Sequence, residues 1–122
     1  MVKKELVHLS SFEKIRMTKM ISALSLKEKL QQQPNIRVID IRENYEFDIC
    51  SFVKTNIPMY QVVDALKDVS KDEEIVLVCK SGARASALAN ILTTENKFNN
   101  ILVLEGGITS WIEEVDNTLE KY

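Results

Sequence analysis

Cys79, Lys80, Ser81, Gly82, Ala83 and Arg84 stand consecutively, a thiol followed by two cations with a glycine between them. A thiol becomes a strong nucleophile only as the thiolate. A helix start offers unpaired backbone N–H groups and a partial positive charge. Free cysteine titrates near 8.5, and a helix N-terminus with neighbouring Lys or Arg brings it to ~7 or below. Gly82 lets the backbone turn tightly and approach a bound group. Ser81 and Ala83 keep the turn uncrowded. The expected chemistry is nucleophilic attack by a Cys79 thiolate held in a collar of amides, with Lys80 and Arg84 supplying charge and no separate base.

Such a loop must sit between a strand and a helix, and the flanking sequence supplies both. Ile75–Cys79 is a continuous apolar run, as is Ile101–Leu104. Strands buried on both faces read this way, which points to a parallel sheet covered by helices. Ala83–Thr94 carries Leu88, Ile91 and Leu92 on one helical face, so residues 75–104 form a strand–helix–strand unit with Cys79 at the ligand-binding carboxyl edge. Ile36–Ile41 is a further strand. Ser25 and Glu28 have capping-box spacing for a helix that Pro34 ends. Tyr60–Val69 reads as a helix with Val62, Val63 and Leu66 inward, and Trp111 and Ile112 open an end helix after Gly106-Gly107. In the first twenty residues, Ser11 fits as the cap of a short helix over Phe12, Ile15 and Met20.

Composition narrows the setting. The chain has 122 residues, 45% hydrophobic and 28% charged, with 16 Lys+Arg against 18 Asp+Glu. One folded domain is expected. A net charge of −2 gives no general reason to bind nucleic acid or an anionic membrane. No apolar stretch approaches the ~20 residues that span a bilayer. Two cysteines, Cys50 and Cys79, are too few to staple a secreted fold, so a cytoplasmic protein with reduced thiols is expected.

The loop Cys79–Arg84 resembles the active-site loop of rhodanese-like sulfurtransferases, and three further segments match in order. Val38-Ile39-Asp40-Ile41-Arg42-Glu43 with Tyr45-Glu46-Phe47 resembles the family's "DVR…EF" segment, Asn56-Ile57-Pro58 its "NIP" segment, and Gly106-Gly107 with Trp111 its "GG…W" segment. Within the family the chain is most similar to the rhodanese domain that ends molybdopterin-synthase and thiamine-pathway sulfurylases of the MoeB/ThiF type, down to the tail that runs from Trp111 to Tyr122. The adenylating domain that precedes it in those proteins is not in this sequence. Ser51–Thr55 departs from the family, which often has His and Gly there.

The resemblance implies an α/β fold in three layers, a mostly parallel five-stranded sheet with helices on both faces. Residues 20–122 form that domain, and residues 1–19 an arm or linker. It implies that Cys79 is catalytic and carries a sulfane sulfur as a persulfide, with Lys80, Ser81, Gly82, Ala83 and Arg84 binding the substrate. The expected partners are a small donor such as thiosulfate and a sulfur-carrier or cysteine desulfurase protein. Neither cofactor nor metal is called for. Alternatives remain a cysteine-based phosphatase or arsenate reductase on the same fold, or a non-catalytic regulatory module. Four residues, Lys80 to Ala83, separate Cys79 from Arg84. The phosphatases have one more, and the smaller cup favours sulfur.

Other reactive side chains read as structural. Asp40 and Arg42 match supporting positions of the family, and an internal ion pair, with Glu46 as partner of Arg42, accounts for them. Cys50 lies among apolar residues and reads as an inert thiol rather than a resolving partner of Cys79. His8 stands alone, and Trp111 is packing.

Overall fold

The computed structural model describes residues 18–122. The proposed helix over Phe12 and Ile15 lies outside them. Its last residue, Met20, is in a strand instead: β1, Lys19–Ile21. The chain then alternates: α1 Ala23–Gln32, β2 Arg37–Asp40, α2 Asn44–Ile49, β3 Thr55–Asn56, α3 Met59–Ala65, β4 Ile75–Val78, α4 Ala83–Thr94, β5 Ile101–Leu104 and α5 Gly107–Glu114. The five strands form one sheet in the order β1-β5-β4-β2-β3, and every pairing is parallel.

The continuous apolar runs explain the layering. All four residues of β4 are buried, and they alternate between two cores. Ile75 and Leu77 pack with Val62 of α3 and Leu88 and Leu92 of α4. Val76 and Val78 pack with Ala23 and Leu26 of α1 and Trp111 of α5. Helices therefore cover both faces, as the resemblance implies. On the second face Phe52 stacks on Trp111 with ring centroids 3.7 Å apart, and both rings add apolar area to that core.

Three local expectations are corrected. Ser22, not Ser25, caps α1, and its Oγ accepts the Ser25 N–H at 3.1 Å. α3 ends at Ala65, and Val63 is 39% exposed because only Val62 and Leu66, four apart, share the buried face. α5 begins at Gly107 itself, four residues before Trp111. The short strand β3 pairs with β2 through Ile39↔Thr55 and Asp40↔Asn56, inside and just after the segment that departs from the family.

Candidate active site

In a parallel sheet all strands end at the same edge, so the residues after β2 and β4 meet there. Asp40 is in register with Val78, and the Ile41 N–H donates to the Val78 carbonyl at 2.8 Å, which brings Ile41 alongside Cys79 and Arg42 to the same edge one residue further on. Asn56 fixes the end of β2 by donating from Nδ2 to the carbonyls of Asp40 and Arg42, both at 2.9 Å. This gives the Asn56-Ile57-Pro58 segment its physical role.

Cys79 is 1% exposed. Its Sγ accepts the N–H of Gly82 at 3.0 Å and that of Ala85 at 3.4 Å. The sulfur thus faces the first turn of α4, as the sequence requires of a thiolate site. The turn needs Gly82, whose φ of +103° lies where side-chain-bearing residues are strained. Ser81 and Ala83 are exposed on the rim and Lys80 is half-buried.

A second helix start grips the same loop from behind. Ile108 N–H donates to the Cys79 carbonyl at 2.8 Å, and Thr109 donates to the Lys80 carbonyl through N–H at 3.2 Å and Oγ1 at 3.1 Å. Gly107 permits this approach, because a Cβ there would collide with the carbonyls of Cys79 and Lys80. Gly106-Gly107 is therefore a contact with the loop rather than a spacer before a helix.

Two arginine–carboxylate pairs flank the thiol loop, with partners other than those expected. Arg42 pairs with Asp40, not Glu46. Arg42 Nε donates to Asp40 Oδ1 at 2.9 Å and Nη2 to Oδ2 at 2.6 Å, and both side chains are fully buried. Arg42 also donates to the Cys50 carbonyl at 2.6 Å. Burial draws its guanidinium pKa down, and the bonds to Asp40 and Tyr122 more than reverse that, so the net shift is upward. Glu46 pairs with Arg84 instead. Arg84 Nη1 donates to Oε2 at 2.8 Å and Nη2 to Oε1 at 3.0 Å, so the guanidinium expected to face a donor already holds a carboxylate. The Arg84 bonds, opposed by burial and aided by the Glu43 N–H and the Tyr122 hydroxyl, hold the Glu46 carboxyl at about 2. Arg84 is shifted upward, first by Glu46, with a further contribution from Cys79.

Tyr122 joins the two pairs. Its hydroxyl accepts from Arg42 Nη1 at 2.7 Å and donates to Glu46 Oε1 at 3.0 Å. Burial, offset by Arg42, pushes its phenol up, so it keeps its proton at neutral pH. Lys80 lies over the same residue, its Nζ 4.4 Å from the Tyr122 ring centroid. The sequence reading missed Tyr122 and the part of Glu46 opposite Arg84. Glu46 was within reach, since it lies in the "EF" segment. Cys50 is a buried free thiol packed with Ile108 and Ile112, in a different cluster from Cys79. Beyond Arg84 the surface dips into a groove of about 470 Å³ walled by Met59, Leu88 and Ile91, with Tyr60 at its lip.

Comparison with known proteins identifies the family. The family model described as a rhodanese-like domain matches residues 22–114. The chain is 32% identical over 103 residues to the adenylyltransferase and sulfurtransferase MOCS3-1 of Drosophila pseudoobscura pseudoobscura, covering 78% of this chain and 23% of that protein. It is 35% identical over 120 residues to a tRNA uridine(34) hydroxylase of Aster yellows witches'-broom phytoplasma, covering 90% of this chain and 39% of that one. The chain thus spans less than half the length of these relatives. A crystal structure of a rhodanese-related protein from Thermoplasma volcanium superposes with a TM-score of 0.64 at 33% identity, over 80% of this chain and 93% of that one.

Proposed function

The chain belongs to the rhodanese-like domain family, and on that premise we propose that it is a sulfurtransferase whose Cys79 carries the sulfur. The observation that carries the reading is the Cys79 Sγ accepting two amide N–H groups at the start of α4. A negative sulfur gains from those donors and from the helix end whether it is the thiolate or the persulfide.

With thiosulfate as donor, the thiolate attacks the sulfane sulfur and a Cys79 S–S bond forms. The sulfur–sulfur bond of the donor breaks, and sulfite leaves with its electron pair. The charge stays balanced, since thiolate and thiosulfate become persulfide anion and sulfite. A nucleophilic acceptor then attacks the outer sulfur and releases the thiolate. Lys80 and the loop Ser81–Arg84 would receive the anionic donor. The proposed protein donor is a persulfidic cysteine desulfurase and the proposed acceptor a sulfur-carrier protein of a molybdopterin or thiamine route, in a reducing cytoplasm that keeps both thiols free. A second reading follows the phytoplasma relative, a tRNA uridine(34) hydroxylase. A net charge of −2 disfavours RNA as the substrate here.

Incubation with thiosulfate is expected to add one sulfur atom to the intact protein, and cyanide to remove it as thiocyanate. Cys79→Ser is expected to abolish both. An unchanged mass in the wild-type protein overturns the proposal.

A further inference from the structure

Tyr122 takes no part in the sulfur chemistry just described, yet three charged side chains of the site converge on it. It lies 80 positions from Arg42 and 76 from Glu46 along the chain, and its hydroxyl bonds to both. Its ring faces two cations, Lys80 Nζ at 4.4 Å and Arg42 Cζ at 5.5 Å from the centroid. A residue kept for packing alone hides its ring from water, whereas Tyr122 remains 37% exposed and gives its hydroxyl and π-face to charged groups.

Each contact controls a different neighbour of the thiol. Glu46 accepts four bonds, one from the Glu43 N–H, two from Arg84 and one from Tyr122. The Tyr122 hydroxyl, itself bonded by the fully buried Arg42, therefore sets the carboxylate on which Arg84 rests. Lys80 carries its ammonium on a flexible four-carbon stem. An aromatic face within about 6 Å gives that ammonium a preferred seat.

We propose that Tyr122 is a positioning residue of the Cys79 site, its hydroxyl setting Glu46 and so Arg84, its ring seating Lys80. One side chain then holds both cations of the loop, and with them the direction from which an anionic reactant meets the sulfur. The assignment deepens the sulfur-transfer reading, but it requires only that Cys79 be the reactive thiol.

Two alkylating reagents of nearly equal size separate positioning from packing, because iodoacetate is anionic and iodoacetamide neutral. The rate of each at Cys79, mapped by peptide mass, is measured in the wild-type chain, Tyr122→Phe and Tyr122→Leu. The iodoacetate-to-iodoacetamide ratio is expected to fall about threefold in Tyr122→Leu. It should fall less in Tyr122→Phe, where the ring still seats Lys80. A ratio in Tyr122→Leu that is unchanged or raised overturns the proposal. So does an equal change in both rates, even with a lowered melting temperature, because that is packing alone. An equal fall in the two variants overturns the part given to the ring. Failure of either reagent to label Cys79 in the folded wild-type chain also overturns it. Should thiosulfate leave the wild-type mass unchanged, the sulfur-transfer reading fails while the alkylation ratio still decides the role of Tyr122.

Discussion

Two arginine–carboxylate pairs lie a few residues apart at one edge of the sheet, and they are built differently. Asp40 and Arg42 are two residues apart in sequence and sealed, with side chains 1% and 0% exposed. Glu46 and Arg84 are 38 positions apart, and the arginine stands 38% exposed on the first turn of α4. A sealed pair gains little over a well-packed apolar pair, but removing one partner strands a charge. Here only the arginine reaches solvent while Glu46 stays buried with its side chain 6% exposed, so the pair can respond through Arg84 to whatever approaches. The difference separates a pair that holds the carboxyl edge together from one that stands at the mouth of the thiol loop.

The largest loss is expected at the sealed pair. Asp40→Ala should destabilise the fold by about 3–5 kcal/mol, because Arg42 bonds to no other carboxylate among the described residues. Urea unfolding measures this, and a loss below about 1 kcal/mol would mean that the pair is not structural.

At the other pair the sign of the pH dependence is decisive. Glu46 titrates at about 2 against an ordinary value of 4.5, so its ionised form is favoured by the fold. That contribution is complete above about pH 4.5, is lost as pH falls toward 2, and is absent below it. Glu46→Gln should therefore cost up to about 3 kcal/mol at neutral pH, with the gap to wild type closing between those two values. Unfolding curves at several pH values would reveal the closure, and a gap independent of pH would contradict it.

The smallest stability effect belongs to Arg84→Ala, about 1–2 kcal/mol, since Glu46 keeps its bonds from Glu43 and Tyr122 and gains access to water. Loading of Cys79 from thiosulfate should slow by about tenfold or more in the same variant. Equal losses of stability and loading would erase the distinction between the pairs.

The sequence disclosed what is local and strongly patterned. β5 and α4 fall where their apolar runs and helical spacing put them, and β4 stops one residue short of Cys79. The loop is legible because strand, thiol, glycine and helix are contiguous. β1 and β3 were missed because three and two residues with mostly exposed side chains carry no pattern of their own. They are strands only because a neighbouring strand offers its free edge. The pairing of the arginines was misread for a related reason. Arg42 could choose between two carboxylates close in sequence, and only the placement of α4 reserves Glu46 for Arg84. Tyr122 gave no local signal at all, being distant in sequence from every residue it touches.

The turn at Gly107–Thr109 bears on what could be moved to another protein. It clasps the carbonyls of Cys79 and Lys80 while the amides of α4 face the sulfur, so the reactive turn is moulded from two directions. A designer who grafted Cys79–Arg84 alone onto a foreign scaffold would import half of the mould. The transplantable unit is discontinuous, and Gly107, which offers the reaction no functional group, belongs in it as much as the nucleophile does.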